Sequence, residues 1–124
     1  MQACRVVFAG PGKVAIEAFE VFAPAADQIL IETLYSSISP GTERAHLLAE
    51  ENTITRARGF PFQPGYSTVG RIIAVGKDVS THRAGQLVVT EQPHFSHVVL
   101  PATLGNGLLP EKYRNQYHAA LSPD

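Results

Sequence analysis

Apolar and polar residues alternate with a period near two along most of this chain, and glycine and proline interrupt the alternation repeatedly. Cys4 to Phe8 is short, apolar and β-branched, and it runs into the turn Ala9-Gly10-Pro11-Gly12. That order predicts a hairpin. From Lys13 to Phe22, Val14, Ile16 and Ala18 alternate with Lys13, Ala15 and Glu17, the pattern of a half-buried strand, which Pro24 ends. Gln28 to Tyr35 repeats it, with Ile29, Ile31 and Thr33 on one face and Leu30, Glu32 and Leu34 on the other. Apolar residues on both faces near its ends predict burial from two sides. Further strands are predicted over Val69–Val75, Gln86–Thr90 and Phe95–Leu100, the last stopped by Pro101.

Three stretches depart from this grammar. Ser36 to Glu43 is a loop of small polar residues, proline and glycine, after which Thr42 is placed to cap a short helix reaching Glu51. Glu43 then sits in the first turn, and Ala45, Leu47 and Leu48 point inward. Asn52 to Gln63 reads as irregular. Leu104 to Leu109 is a glycine-rich connection, and Pro110 opens a helix with Tyr113, Tyr117, Ala120 and Leu121 on one stripe. Six or so short strands with turns between them describe a mainly β domain, a small barrel or sandwich.

The 124 residues are enough for one domain that buries roughly two thirds of its unfolded surface without disulfides. A formal charge of -1 leaves no basic face for nucleic acid. Cys4 is the only cysteine, which excludes an internal disulfide and fits a reducing compartment. No apolar run approaches the ~20 residues that cross a bilayer. The expected setting is cytoplasmic, with no membrane partner.

The stretch Pro64-Gly65-Tyr66-Ser67-Thr68-Val69-Gly70-Arg71-Ile72-Ile73-Ala74-Val75-Gly76 raises a sharper question, because glycine weakens a strand and buries no side chain. Gly65 suits a turn before the strand, Gly70 a bulge or a close backbone neighbour, and Gly76 an exit turn. Chain geometry alone accounts for all three.

Their spacing, with Gly85-Gln86-Leu87-Val88 and the strand and loop from Leu30 to Glu43, resembles the N-terminal, GroES-like barrel of medium-chain dehydrogenase/reductases. Ser37-Ile38-Ser39-Pro40-Gly41-Thr42-Glu43 is its sharpest piece, and the likeness runs from about Ala3 to Leu121. The resemblance implies a barrel over residues 1–109, with 110–124 leading toward a dinucleotide-binding domain. No Gly-x-Gly-x-x-Gly between a strand and a helix occurs here, so NAD or NADP is expected to be held by that other domain and the chain to be a fragment, inactive alone.

The zinc branch of the family carries a cysteine in the loop and Gly-His-Glu before the glycine strand. Here Ser39 stands in place of the cysteine, Tyr66 of the histidine and Ser67 of the glutamate, and the four-cysteine lobe is missing. Neutral hydroxyls are poor zinc ligands, so no zinc is expected. His94-x-x-His97 would face opposite sides of a strand and is not read as a metal pair.

Without a metal, the barrel must supply shape and a proton donor or oxyanion-stabilising hydrogen bond. Tyr66 is a candidate donor, or else it packs on Phe60 and Phe62. Ser39 and Thr42 either touch substrate or hold the loop, and His94 is a further donor candidate. Glu43 is expected to pair with Arg44 or Arg71, and His46 with Glu50. Two functions follow. One is the substrate-side domain of a zinc-independent, NAD(P)-dependent oxidoreductase acting on a carbonyl, alcohol or enone, with a homo-oligomer possible in principle; the other is a stand-alone binding or oligomerisation module.

Overall fold

A computed structural model describes residues 1–104. β1 (Gln2–Gly10) and β2 (Lys13–Glu20) form an antiparallel ribbon. β3 (Gln28–Ser36), β4 (Thr68–Val75), β5 (Leu87–Thr90) and β6 (His97–Pro101) form a second antiparallel sheet in the order β5-β4-β3-β6. α1 (Pro40–Leu47) and α2 (Ile54–Arg58) occupy the connection from β3 to β4, and a 3-10 turn at Ala102–Leu104 follows β6. The mainly β, barrel-like expectation holds. The helix expected from Pro110 onward lies outside the described residues.

The residues entering β6 join the two sheets. Val6 N–H donates to the His94 carbonyl at 3.0 Å, Ser96 N–H to the Cys4 carbonyl at 2.8 Å, and Thr33 N–H to the Ser96 carbonyl at 2.9 Å. β1 and β3 therefore bond to the same short segment, and the ribbon becomes an edge of one curved wrap. Each bond satisfies a backbone group that burial would otherwise leave unpaired.

β3 is the central strand, and it is buried on both faces at its start. Ile29 and Ile31 pack with Ile72, Val88 and Leu100 on one side. Leu30 packs with Ala3 and Val21 on the other, so this second cluster seats the ribbon on the sheet. Fully burying such a side chain is worth about 1.5–3 kcal/mol.

Gly70 of β4 and Gly76 just after it are required by close approach. A Cβ on Gly70 would stand 2.4 Å from Ile31 Cγ2 and 2.8 Å from the Glu32 carbonyl oxygen. Facing it, the β3–β4 register shifts between Thr33 and Tyr35. At Gly76 the added atom would meet the Ala25 carbonyl oxygen at 1.9 Å.

Four local expectations are corrected. The first helix starts at Pro40 with Ser39 rather than Thr42 as its N-cap, because proline's fixed φ and missing donor suit a first helical turn. It ends at Leu47 and not at Glu51: Ala49 takes a φ of 53°, and Leu48 is 41% exposed rather than inward. The supposedly irregular segment after Asn52 contains α2, whose Thr53 side chain accepts a hydrogen bond from Arg56 N–H. Five residues are too few for periodicity to announce a helix. Finally, β2 is exposed along most of its length, with Val14 at 58% and Ile16 at 69%, because among the described residues it pairs only with β1.

Gly76→Ala is expected to destabilise the domain by about 3 kcal/mol or more, since backbone oxygens cannot yield as a side chain can. Gly41→Ala, where an added Cβ meets nothing within 4 Å, should be neutral or stabilising by up to about 1 kcal/mol. Urea unfolding of both variants checks the contrast.

Candidate functional site

One face of the ribbon carries the laterally paired Val6 with Ile16 and Phe8 with Val14. Opposite it stand the loop after β3 and helix α1. They are held there because Gly12 N–H, in the hairpin turn, donates to the Leu47 carbonyl at 2.9 Å, while Ser37 N–H donates to the Ser67 carbonyl at 2.9 Å. Between them lies a broad hollow of about 620 Å³. Val6, Phe8 and Val14 form one wall, and Ile38, Pro40 and Leu47 the facing one. Ile38 is 71% exposed, so the apolar lining continues outward onto the surface.

Two titratable groups with reach enter this apolar lining from different parts of the chain. Glu43 of α1 and His94, just before β6, both line the hollow, and His94 Nε2 bonds Glu43 Oε1. The side chains are 14% and 12% exposed respectively. Glu43 Oε2 accepts from Ser39 N–H at 2.9 Å, and Glu43 N–H donates to the Ser39 carbonyl at 2.9 Å. One carboxylate thus ties the start of α1, the loop before it and the segment entering β6. Arg44 also lines the hollow.

The imidazole is seated on a glycine. Gly65 has a φ of +99°, and a Cβ there would lie 2.9 Å from three ring atoms of His94. His94 N–H in turn donates to the Pro64 carbonyl at 3.0 Å. Because a carboxylate oxygen only accepts, Nε2 carries the proton in the bond to Glu43. The other ring nitrogen, Nδ1, is buried and has no hydrogen-bond partner among the described residues.

The sequence candidates are thus separated. His94 lines the hollow, while Ser39 engages Glu43 through its backbone and makes no side-chain cap. Thr42 is exposed on α1, with its carbonyl in contact with His46 Nδ1 at 2.9 Å. Tyr66 follows the glycine that seats His94 and is 54% exposed. Phe62 stacks on His46, with ring centroids 4.7 Å apart, and also meets Phe8.

Two pairings and one placement are corrected by the structure. Glu43 bonds His94 instead of Arg44 or Arg71, and His46 turns to Thr42 and Phe62 instead of Glu50. His94 lies ahead of β6, which begins at His97, so the two histidines do not share one strand. Residues 43 and 94 are far apart in sequence, and no spacing rule joins them.

A GroES-like barrel with an apolar hollow on its ribbon side defines the class. Residues 25–119 match the alcohol dehydrogenase GroES-like domain family, and the chain belongs to that family. A curated relative, 2-desacetyl-2-hydroxyethyl bacteriochlorophyllide A dehydrogenase of Cereibacter sphaeroides, is 27% identical over 78 residues, covering 63% of this chain and 24% of the relative. The chain therefore matches about a quarter of that protein's length. Among solved structures, a mutant enoyl thioester reductase from Candida tropicalis aligns with a TM-score of 0.69 at 20% identity, covering 100% of this chain and 37% of that one. Etr1p complexed with NADP and crotonyl-CoA gives 0.69 at 19% identity, covering 96% and 36%. An Escherichia coli oxidoreductase/dehydrogenase of unknown specificity, ECK1772, gives 0.65 at 17%, covering 84% and 39%. At these identities the likeness establishes the shared fold.

The Glu43–His94 tie should be measurable as coupling. In a double-mutant cycle of Glu43→Ala and His94→Ala, the two stability losses are expected to be non-additive by about 0.5–3 kcal/mol in urea unfolding. Additive losses would mean that the contact does not hold the loop.

Proposed function

We propose that this chain is the substrate-side domain of an NAD(P)-dependent oxidoreductase that acts on a carbonyl, alcohol or enone without zinc. The observation that carries the reading is the open apolar hollow of about 620 Å³ with a single carboxylate–imidazole pair in its wall. An apolar cleft with few placed polar groups is the usual form of a small-molecule site. Family membership and the NADP-complexed structural neighbour support the reaction class.

The nicotinamide cofactor belongs to a dinucleotide-binding partner domain, and when bound it supplies or accepts hydride. The exposed Val14, Ile16 and Ile38 are the surface on which that domain would close, covering apolar area that water otherwise meets. Closure would make the hollow dry and strengthen every polar contact within it. Val6, Phe8 and Pro40 then press a flat apolar substrate into one orientation. Tyr66, 54% exposed and two residues after Pro64 of the lining, would donate a hydrogen bond that orients the substrate oxygen once the partner domain covers this side. Ser39 and Thr42 serve by shaping the start of α1.

The residues present do not fit zinc. At the positions that carry zinc ligands in relatives stand the hydroxyls of Ser39, Tyr66 and Ser67. The metal-capable Glu43 and His94 are already bonded to each other. Among the described residues no group of three or more His, Cys, Asp or Glu side chains is placed to hold a metal ion.

The full gene product is the protein to test, with NADH and NADPH against a panel of ketones, aldehydes and enoyl thioesters. Nicotinamide oxidation is expected with at least one class and should survive dialysis against a strong chelator. Loss of turnover on chelation with recovery on zinc addition would overturn the metal-free reading; silence across the panel would favour a binding module. Tyr66→Phe should lower kcat/KM about tenfold, the value of one hydrogen bond.

A further inference from the structure

We propose that Arg44 anchors an anionic group of the substrate, so that the hollow takes a flat apolar molecule carrying a carboxylate or phosphate. The inference rests on the oxidoreductase reading above and names its substrate class. Four residues of α1 line the hollow: Pro40, Glu43, Arg44 and Leu47. They stand at positions i, i+3, i+4 and i+7 of an eight-residue helix, which is one continuous stripe along it.

The two ends of the stripe are apolar, as suits a wall that faces Val6, Phe8 and Val14. Its middle is charged. Glu43 is accounted for, since Oε1 meets His94 Nε2 and Oε2 accepts from Ser39 N–H. Arg44 is not: it is exposed and lines the hollow, yet its guanidinium forms no hydrogen bond or ion pair with any described residue. A cation in the last turn of a helix is favoured by the dipole, but the dipole acts alike on every face and does not select the one turned to the hollow. An apolar stripe interrupted by an unpaired charge breaks a local rule, and functional sites are where such breaks are expected.

A guanidinium is planar, stays protonated at any working pH and offers paired N–H donors that match two oxygens of a carboxylate or phosphate. With both oxygens of Glu43 engaged, Arg44 sets the sign of the group that the hollow accepts. The apolar walls take the body of the molecule and Arg44 its acid end, so that one placed charge fixes the orientation. Closure of the partner domain excludes water and strengthens the attraction.

The test uses the full gene product, saturated with nicotinamide nucleotide, and ligands matched in everything but charge. By calorimetry, naphthoate should bind about tenfold more tightly than its neutral carboxamide. Arg44→Gln should erase that preference and leave carboxamide binding unchanged, Arg44→Lys should keep part of it, and added salt should shrink it. In turnover, an enone bearing a carboxylate is compared with its methyl ester, and a phosphate-bearing enoyl thioester with its unphosphorylated counterpart. The pair whose KM advantage, about tenfold, disappears in Arg44→Gln identifies the acid. Equal affinity for naphthoate and carboxamide in the wild type, binding of neither, a preference that survives in Arg44→Gln, or turnover in which neither pair depends on Arg44 overturns the proposal. So does a variant that raises only the KM of the nicotinamide nucleotide, because the anion would then be the cofactor's own phosphate. Absence of nicotinamide-dependent turnover with every pair would instead sink the oxidoreductase reading, and the calorimetric preference would still decide the role of Arg44.

Discussion

Backbone amides in a barrel of short strands must all find partners, and here that obligation is met by one short segment shared between two sheets. His94 accepts from Val6, Ser96 donates to Cys4 and accepts from Thr33, and the ribbon and the sheet are closed onto each other by these bonds. Everything that follows depends on the sharing. It brings a histidine remote in sequence to the edge of the ribbon, and among the described residues the opposite edge has no strand beside it.

The hollow is a consequence of the same geometry. Among the described residues β2 pairs only with β1, so on the face they share Val14 and Ile16 stay in water while Val6 and Phe8 are partly or wholly covered. The loop and α1 stand off from it because they are anchored elsewhere, at the hairpin turn through Gly12 and at β4 through Ser67. An apolar concavity between two separately anchored walls is suited to a ligand that a second domain then covers. Glu43 is the rivet of the far wall, since its carboxylate holds both Ser39 and His94.

Glycine has two separable duties in this architecture. Gly70 and Gly76 let backbone or core side chains come closer than any Cβ permits, so they maintain the sheet. Gly65 instead makes room for an imidazole and takes a left-handed backbone to do so, which places a scaffold residue directly beneath a chemical one.

Strand alternation, the hairpin at Pro11-Gly12 and the close-approach role of Gly70 were legible from residue order, because periodicity two and steric permission are local properties, whereas Gly76 was read only as an exit turn. The family, too, was readable from the spacing of the glycines and the Ser37–Glu43 loop. Local signals misled at α1, where Thr42 offered a capping side chain but Pro40 set the start, and at α2, too short to announce itself. Which faces were covered, and the pairing of Glu43 with His94 over Arg44, Arg71 or solvent, belonged to the tertiary structure alone. Coverage and long-range ion pairs depend on which segments the closed sheet brings together, and no stretch of neighbouring residues encodes that by its own preferences.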